Sequence, residues 1–469
     1  MTEVTAIAEV ECDLVVRGGT VVTAGSSAEC DVGISEGRIS QLGGSPRGRR
    51  EIDAADALVL PGGLDMHVHL SSPEPPEPGV PAWVDDFRSG SRAAIAGGVT
   101  TIGNMTFQRD GESLRQALDR DLAAAADGAA VDYVLHPVLD DPSPESLAEL
   151  PVLAAGGHQS LKIFMIFPAF ETHADEMLAA IRTAGYSGTL TMLHCEDGAL
   201  VRAAGQRLLA QGRGGLADWA GSRPVLAERA AVERAVAICE ATGSPIYIVH
   251  LSSRDALDSA RRAQARGLPV FVETRPLYLY LTSELLQQPD GGKYIGCPPL
   301  REPADAEALW AGLADGSVHT LGSDHAPWSL RDKTDASLDV TTARPGVADL
   351  ETILPMLFSE GVRTGRISLP RLIELTSTNP ARLFGLYPRK GTIAVGSDAD
   401  LVVLDPQLRR TIDGRTMQSN ADYSVYDGRE VHGWPRFTIS RGDVVLADGE
   451  IMAEPGRGQW LSQGRTAAP

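Results

Sequence analysis

The sequence predicts an α/β fold, a TIM-like (β/α)8 barrel carrying a small β-rich domain built from both termini. Two observations predict it. Apolar strand-like runs alternate with amphipathic helical stretches through the middle of the chain, and short strands separated by glycine turns occupy its two ends. A chain of 469 residues, 43% hydrophobic, suffices for a barrel of about 200–300 residues plus a smaller partner domain.

The first stretch, residues 12–60, reads as Asp13-Leu14-Val15-Val16-Arg17, Thr20-Val21-Val22, Asp31-Val32-Gly33-Ile34, then Arg38-Ile39-Ser40 after a Glu36-Gly37 turn. Eight apolar runs follow, near 64–69, 98–104, 131–138, 160–166, 189–194, 246–251, 269–273 and 318–323. Helices such as Ser222–Thr242 and Pro303–Ala314 fill the gaps between them. Eight alternating units fit a closed barrel better than a doubly wound sheet, because a barrel gathers every strand end around one opening. The last stretch, roughly 391–450, returns to the texture of the first: Asp400-Leu401-Val402-Val403-Leu404 and Thr438-Ile439-Ser440 read as strands. There Arg441-Gly442-Asp443-Val444-Val445 echoes Arg17-Gly18-Gly19-Thr20-Val21. The predicted division is therefore residues 1–61 with 390–469 as one composite domain, and 62–389 as the barrel. An acidic, proline-rich loop, 72–81, follows the first barrel strand and is placed to help cover the mouth.

Composition narrows the partners. The chain holds 42 basic and 62 acidic residues, a net charge of −20, without a Lys/Arg cluster, which argues against nucleic acid and anionic membrane. Five scattered cysteines (Cys12, Cys30, Cys195, Cys239, Cys297) form no Cys-x-x-Cys and fit reduced thiols in a cytoplasmic protein. The start, Met1-Thr2-Glu3-Val4, does not read as a secretory signal, and no apolar run approaches membrane-spanning length.

The chemistry lies at the strand ends. His67 and His69 close the first run; residues i and i+2 of a strand share a face about 6–7 Å apart, so both imidazoles can reach one cation. Two unrelated polar residues at a strand end are the alternative. Lys162 lies on the fourth run, His194 ends the fifth, His250 comes near the end of the sixth and Asp324 directly follows the eighth. Singly, each reads as a hydrogen-bonded core polar group. Together they would converge at one end of the barrel as an imidazole and carboxylate set suited to zinc, manganese or iron. Four histidines and an aspartate exceed the three protein ligands usual for one catalytic zinc, so two metals are the economical reading. Lys162, flanked by Leu161, Ile163 and Phe164, sits where desolvation favours a neutral amine able to add carbon dioxide; an ordinary ion-paired lysine is the alternative.

The segments Gly62-Gly63-Leu64-Asp65-Met66-His67-Val68-His69, Ala94–Thr101, Lys162-Ile163-Phe164-Met165, Leu193-His194-Cys195-Glu196, Val249-His250-Leu251-Ser252-Ser253, Cys297-Pro298-Pro299-Leu300-Arg301, Gly322-Ser323-Asp324-His325 and Asn379–Pro388 occur in this order. On these the chain resembles the cyclic amidohydrolases of the amidohydrolase superfamily, in particular the hydantoinase and dihydropyrimidinase group, over nearly its whole length. The resemblance implies that His67, His69 and Asp324 hold one divalent metal, His194 and His250 a second, and Lys162, carbamylated by CO2 to N6-carboxylysine, both. Zinc is the first expectation, with manganese or iron as alternatives. It implies hydrolytic opening of a small cyclic amide by hydroxide shared between the metals, with Asp324 carrying the proton to the departing ring nitrogen. It also implies a β-sandwich form for the terminal domain and a homodimer or homotetramer, with the tail 454–464 reaching a neighbour or lying on its own subunit.

Three positions depart from that group. Phe167 stands where its D-selective members carry an oxyanion-binding tyrosine, Cys297 replaces a serine, and Thr342 aligns with an expected asparagine; these are the candidate substrate contacts. The departures bring forward allantoinases and hydantoinases of other stereochemical preference. Ser71 stands where dihydroorotases carry an arginine, which disfavours that activity. Trp83, Phe87, Phe167, Phe170 and Trp328 fall near mouth loops, placed either to take a bulky ring substituent or to pack the loops. A non-catalytic scaffold is opposed by retention of all six ligand positions, and a mononuclear deaminase by Lys162. His325 points away from the others if the strand persists.

Overall fold

A computed structural model describes residues 11–72, 74 and 78–469. Eight parallel strands form the central wall: β1 (Gly63–Val68), β2 (Val99–Thr106), β3 (Asp132–Pro137), β4 (Ser160–Phe164), β5 (Leu190–His194), β6 (Ile246–Ile248), β7 (Val270–Thr274) and β8 (Thr320–Leu321). β1 to β3 pair in order, as do β4 to β8. Parallel bridges close the two seams, Val138 with Lys162 and Val68 with His325. The Leu139 N–H donates to the Lys162 carbonyl at 2.9 Å and the His69 N–H to the His325 carbonyl at 2.8 Å. Closure brings the carboxyl ends of all eight strands to one rim.

Local signals set the crossover helices. Asp86 caps the helix Phe87–Ala96 in a reciprocal pair with Ser89, and Ser113 caps Leu114–Gly128 in the same way with Gln116. Each such cap contributes about 1 kcal/mol. The helix Val225–Thr242 stops at Gly243, whose φ of +68° a residue with a side chain adopts only under strain.

Strands from both ends of the chain share the second structural layer. A seven-stranded sheet runs Glu450–Ile451, Asp443–Ala447, Glu430–Ser440, Leu401–Thr411, Leu58–Pro61, Thr20–Val22, Ser27–Glu29, and a four-stranded sheet runs Arg38–Leu42, Val32–Ser35, Cys12–Arg17, Gly48–Asp53. Leu14, Val16, Ile34, Ile39, Val59, Leu401, Val403 and Ile439 form one buried cluster contributed by both sheets. At the foot of the barrel the fully buried Lys390 ammonium bonds Asp132 on β3 at 2.7 Å and Asp400 at 2.6 Å, with Asp398 at 3.1 Å. Arg441 completes Asp132's pairing at 3.0 Å.

The tail makes contacts along its own subunit. Leu461 N–H donates to the Tyr133 carbonyl at 2.8 Å, and Trp460 packs on His158 with ring centres 5.1 Å apart. Residues 73 and 75–77 of the loop expected over the mouth lie outside the described residues. No helix among the described residues is long and apolar enough to cross a membrane.

Candidate metal centre

The barrel mouth encloses a cavity of about 320 Å³ whose wall includes His67, His69, His194, His250 and Asp324. His67, His69 and Asp324 present ligand atoms within 4.8 Å of one another, and all three are buried. Asp324 Oδ1 lies 3.0 Å from His69 Nε2 and 3.2 Å from His67 Nε2. On the opposite side, His194 Nδ1 lies 2.9 Å from His250 Nε2. The His67 and His250 rings are 5.4 Å apart, so the two groups adjoin.

Two carboxylates orient this array. Glu273, the last acid of β7, takes the Nδ1–H of His67 at 2.7 Å, which leaves Nε2 with its lone pair on the cavity side. Glu196, two residues past His194 at the end of β5, takes the Nε2–H of His194 at 2.8 Å and leaves the Nδ1 lone pair facing His250 Nε2. Arg223 in turn bonds Glu196. Gly322 makes room for Glu273: a Cβ there would lie 2.5 Å from the Glu273 carboxylate. His250 and Asp324 carry φ angles of +41° and +48°, left-handed conformations that cost about 1–3 kcal/mol each at non-glycine residues and concentrate at functional sites.

Electrostatics favours neutral imidazoles and an ionised Asp324. Burial pushes all four histidines below their ordinary range, and the neighbouring Lys162 adds to it in each, which favours the neutral imidazole. Burial alone would raise Asp324, but the Arg275 guanidinium and the His67 and His69 rings outweigh it and hold the carboxyl well below its usual range. Glu196 follows the same logic and falls to about 2, while burial lifts Glu273 to about 7.

Lys162 lies in the middle of β4, fully buried, with its Nζ 4.7 Å from the Phe164 ring centre. Desolvation lowers its pKa to about 8, so a share of neutral amine exists near neutral pH. Among the described residues neither Lys162 Nζ nor His67 Nε2 has a hydrogen-bond partner. Buried polar atoms are rarely left so. Unpartnered nitrogens beside a compact His-His-Asp group suit a cation, and this donor set fits divalent metal.

The remaining expected positions divide. Phe167 lines the cavity, stacked on Phe164 with centres 4.7 Å apart, and Cys297 lines it too, its thiol pushed by burial to about 12 and therefore neutral. Thr342 is exposed and its hydroxyl turns back to Asp339 at 3.1 Å, while Pro345 and Gly346 supply that part of the wall. Trp83 joins the wall, with Trp328 packed behind it at 6.4 Å; Phe87 and Phe170 are buried in the core. His325 turns away and bonds Asp85 at 2.9 Å. Sequence reading assigned no role to Glu196, Glu273, Arg223 or Arg275. Glu273 carried a signal, being the final residue of the seventh apolar run. Arg275 carried none, because nothing local distinguishes a buried arginine from one on a loop.

Comparisons with known proteins agree with this architecture. The family model described as "Amidohydrolase family" matches residues 58–445. A D-hydantoinase of Ralstonia pickettii is 37% identical over 456 residues, covering 96% of this chain and 99% of that protein. The solved structure of a D-hydantoinase from Bacillus sp. AR9 superposes with a TM-score of 0.92 at 37% identity, over 97% of this chain and 100% of that one. A dihydropyrimidinase from Brevibacillus agri NCHU1002 superposes with a TM-score of 0.92 at 36% identity, over 97% and 99%. The fold is a (β/α)8 barrel with a β-sandwich domain.

Proposed function

The chain belongs to the amidohydrolase family, in its hydantoinase and dihydropyrimidinase group, and on that premise we propose that it opens small cyclic amides by metal-dependent hydrolysis. The observation that carries the proposal is the buried convergence of His67, His69 and Asp324 beside the paired His194 and His250 and the orphaned Lys162 amine.

In this reading His67, His69 and Asp324 hold one divalent cation, His194 and His250 another, and Lys162, as a CO2-derived carbamate, both. Zinc is preferred on its ligand chemistry, with manganese or iron as alternatives. When bound, such a pair supplies an acidified water and polarises the amide carbonyl. Carbamate formation joins Lys162 Nζ to the carbon of CO2, moves one C=O electron pair onto oxygen and releases an N–H proton to solvent. The neutral amine that burial favours is the form able to do this. Asp324, held ionised by Arg275, starts each cycle as a base; it takes the proton of the attacking water and returns it to the ring nitrogen as the C–N bond breaks.

Substrate choice follows from the wall. Trp83, Phe107, Phe164 and Phe167 form an aromatic flank, suited to an apolar or aromatic ring substituent and poorly to the polar ureido group of allantoin. Phe167 cannot donate to an oxyanion, and a missing donor of that kind costs about 3–4 kcal/mol unless other groups replace it. Cys297 borders the ring-binding space. Assembly as a homodimer or homotetramer rests on the family resemblance. The test is a hydrolysis screen of metal-replete protein against 5-substituted hydantoins of both configurations, dihydrouracil and allantoin. Opening of an aryl-substituted hydantoin is expected; activity on allantoin alone, or on none of them, contradicts the proposal.

A further inference from the structure

We propose that Arg275 is a positioning residue that clamps Asp324, committing Oδ2 to the guanidinium and leaving Oδ1 as the single oxygen offered to a cation. The inference rests on the ring-opening reading above and adds to it a residue outside the ligand set.

Arg275 directly follows β7 and is among the largest fully buried side chains of the molecule. All three of its guanidinium nitrogens face one short segment. Nε donates to the Ser323 carbonyl at 3.0 Å, Nη1 to Asp324 Oδ2 at 2.8 Å, and Nη2 approaches the Asp324 carbonyl at 3.5 Å. The Tyr278 ring centre stands 5.8 Å from the fork, and Gly296 leaves room for it, since a Cβ there would lie only 3.2 Å from Nη1.

Two physical arguments give this contact a purpose. Burying a guanidinium is expensive, and a well-packed apolar side chain fills such a space at lower cost, so packing alone is a poor reason for an arginine here. Asp324 meanwhile needs a restraint, because its φ of +48° is strained and the segment relaxes unless its surroundings hold it. A planar fork fixes both the main chain at Ser323 and the carboxylate at Oδ2, which a single ammonium cannot do. With Oδ2 committed, Oδ1 is the oxygen left beside His69 Nε2 at 3.0 Å and His67 Nε2 at 3.2 Å.

The test uses full-length protein loaded with Co²⁺ in the presence of bicarbonate. Cobalt content, affinity by chelator competition and visible absorption are compared for the parent, Arg275→Met and Arg275→Lys. We expect Arg275→Met to bind cobalt about 10–100-fold more weakly and with a changed spectrum, and Arg275→Lys to fall between it and the parent. In an Asp324→Asn background Arg275→Met should add little further loss, since it acts through that carboxylate; additive losses point to general packing and overturn the clamp. If Arg275→Met does not fold, Arg275→Lys decides: a parent-like affinity and spectrum overturns the inference, and a weakened, altered one supports it. A parent that holds no cobalt overturns the ring-opening reading and this inference together. A parent that holds it, matched by Arg275→Met, overturns this inference alone.

Discussion

Lys162 and Lys390 are both fully buried, one toward the rim of the barrel and one at its foot, and their surroundings are opposite. Three aspartates lie within ion-pairing distance of the Lys390 ammonium, which raises its pKa above the ordinary 10.5 despite burial. Lys162 has no hydrogen-bond partner among the described residues, and burial lowers its pKa to about 8. A third buried lysine, Lys333, donates to the carbonyls of Arg344 at 2.7 Å and Gly346 at 2.9 Å and so braces the cavity wall. The comparison teaches that burial alone does not mark function. A buried charge with all its partners present is architecture, whereas a buried amine without one is a candidate for chemistry.

The largest expected effect tests the open end. Lys162→Ala should abolish ring opening and reduce the cation content of protein loaded with zinc and bicarbonate from two per chain to at most one, read by elemental analysis. Next, Asp324→Asn should lower kcat by about 10²–10⁴-fold while the far-ultraviolet circular dichroism stays that of the parent, because the amide cannot carry the proton. Near-normal turnover of the metal-loaded variant would contradict that role.

The closed end should fail differently. Lys390→Met strands buried carboxylates and is expected to cost about 3–5 kcal/mol in denaturant unfolding, with cation content unchanged. Its pH dependence sharpens the contrast. Lys390 is raised in the fold, so its contribution is present below its unfolded value of 10.5 and is lost only as pH rises past it toward the folded value. Burial would raise Asp132, but Lys390 and Arg441 outweigh that and lower it, so its contribution is present above 3.8 and is lost as pH falls through the folded value. Asp400 works the other way, because burial raises it despite Lys390 and removing the lysine raises it further, so the penalty of Lys390→Met should grow as pH rises from about 5 to 9. The smallest effect belongs to Thr342→Ala, expected to leave kcat/KM unchanged and stability within about 0.5 kcal/mol, since the residue is exposed and outside the wall.

Much of this was legible in the sequence because barrel chemistry is written at strand ends. The eight apolar runs correspond to β1 to β8, and closure gathers the histidines and Asp324 at or just past the ends of their strands, with Lys162 in the middle of β4. What escaped was tertiary. Glu196 and Glu273 matter through which imidazole nitrogen they occupy, a fact of side-chain geometry that spacing does not encode. Arg275 acts on a residue 49 positions away, across the β7–β8 crossover. Spacing in a turn does not tell which of its residues reach the wall: Pro345 and Gly346 line the cavity while Thr342 is exposed beside Asp339.

The most direct measurement is anomalous diffraction from crystals grown with zinc and bicarbonate. The account predicts two adjacent peaks, one against His67, His69 and Asp324 and one against His194 and His250, with density beyond Lys162 Nζ joining them. A bare amine at Lys162, with no peak at the imidazoles, would contradict it.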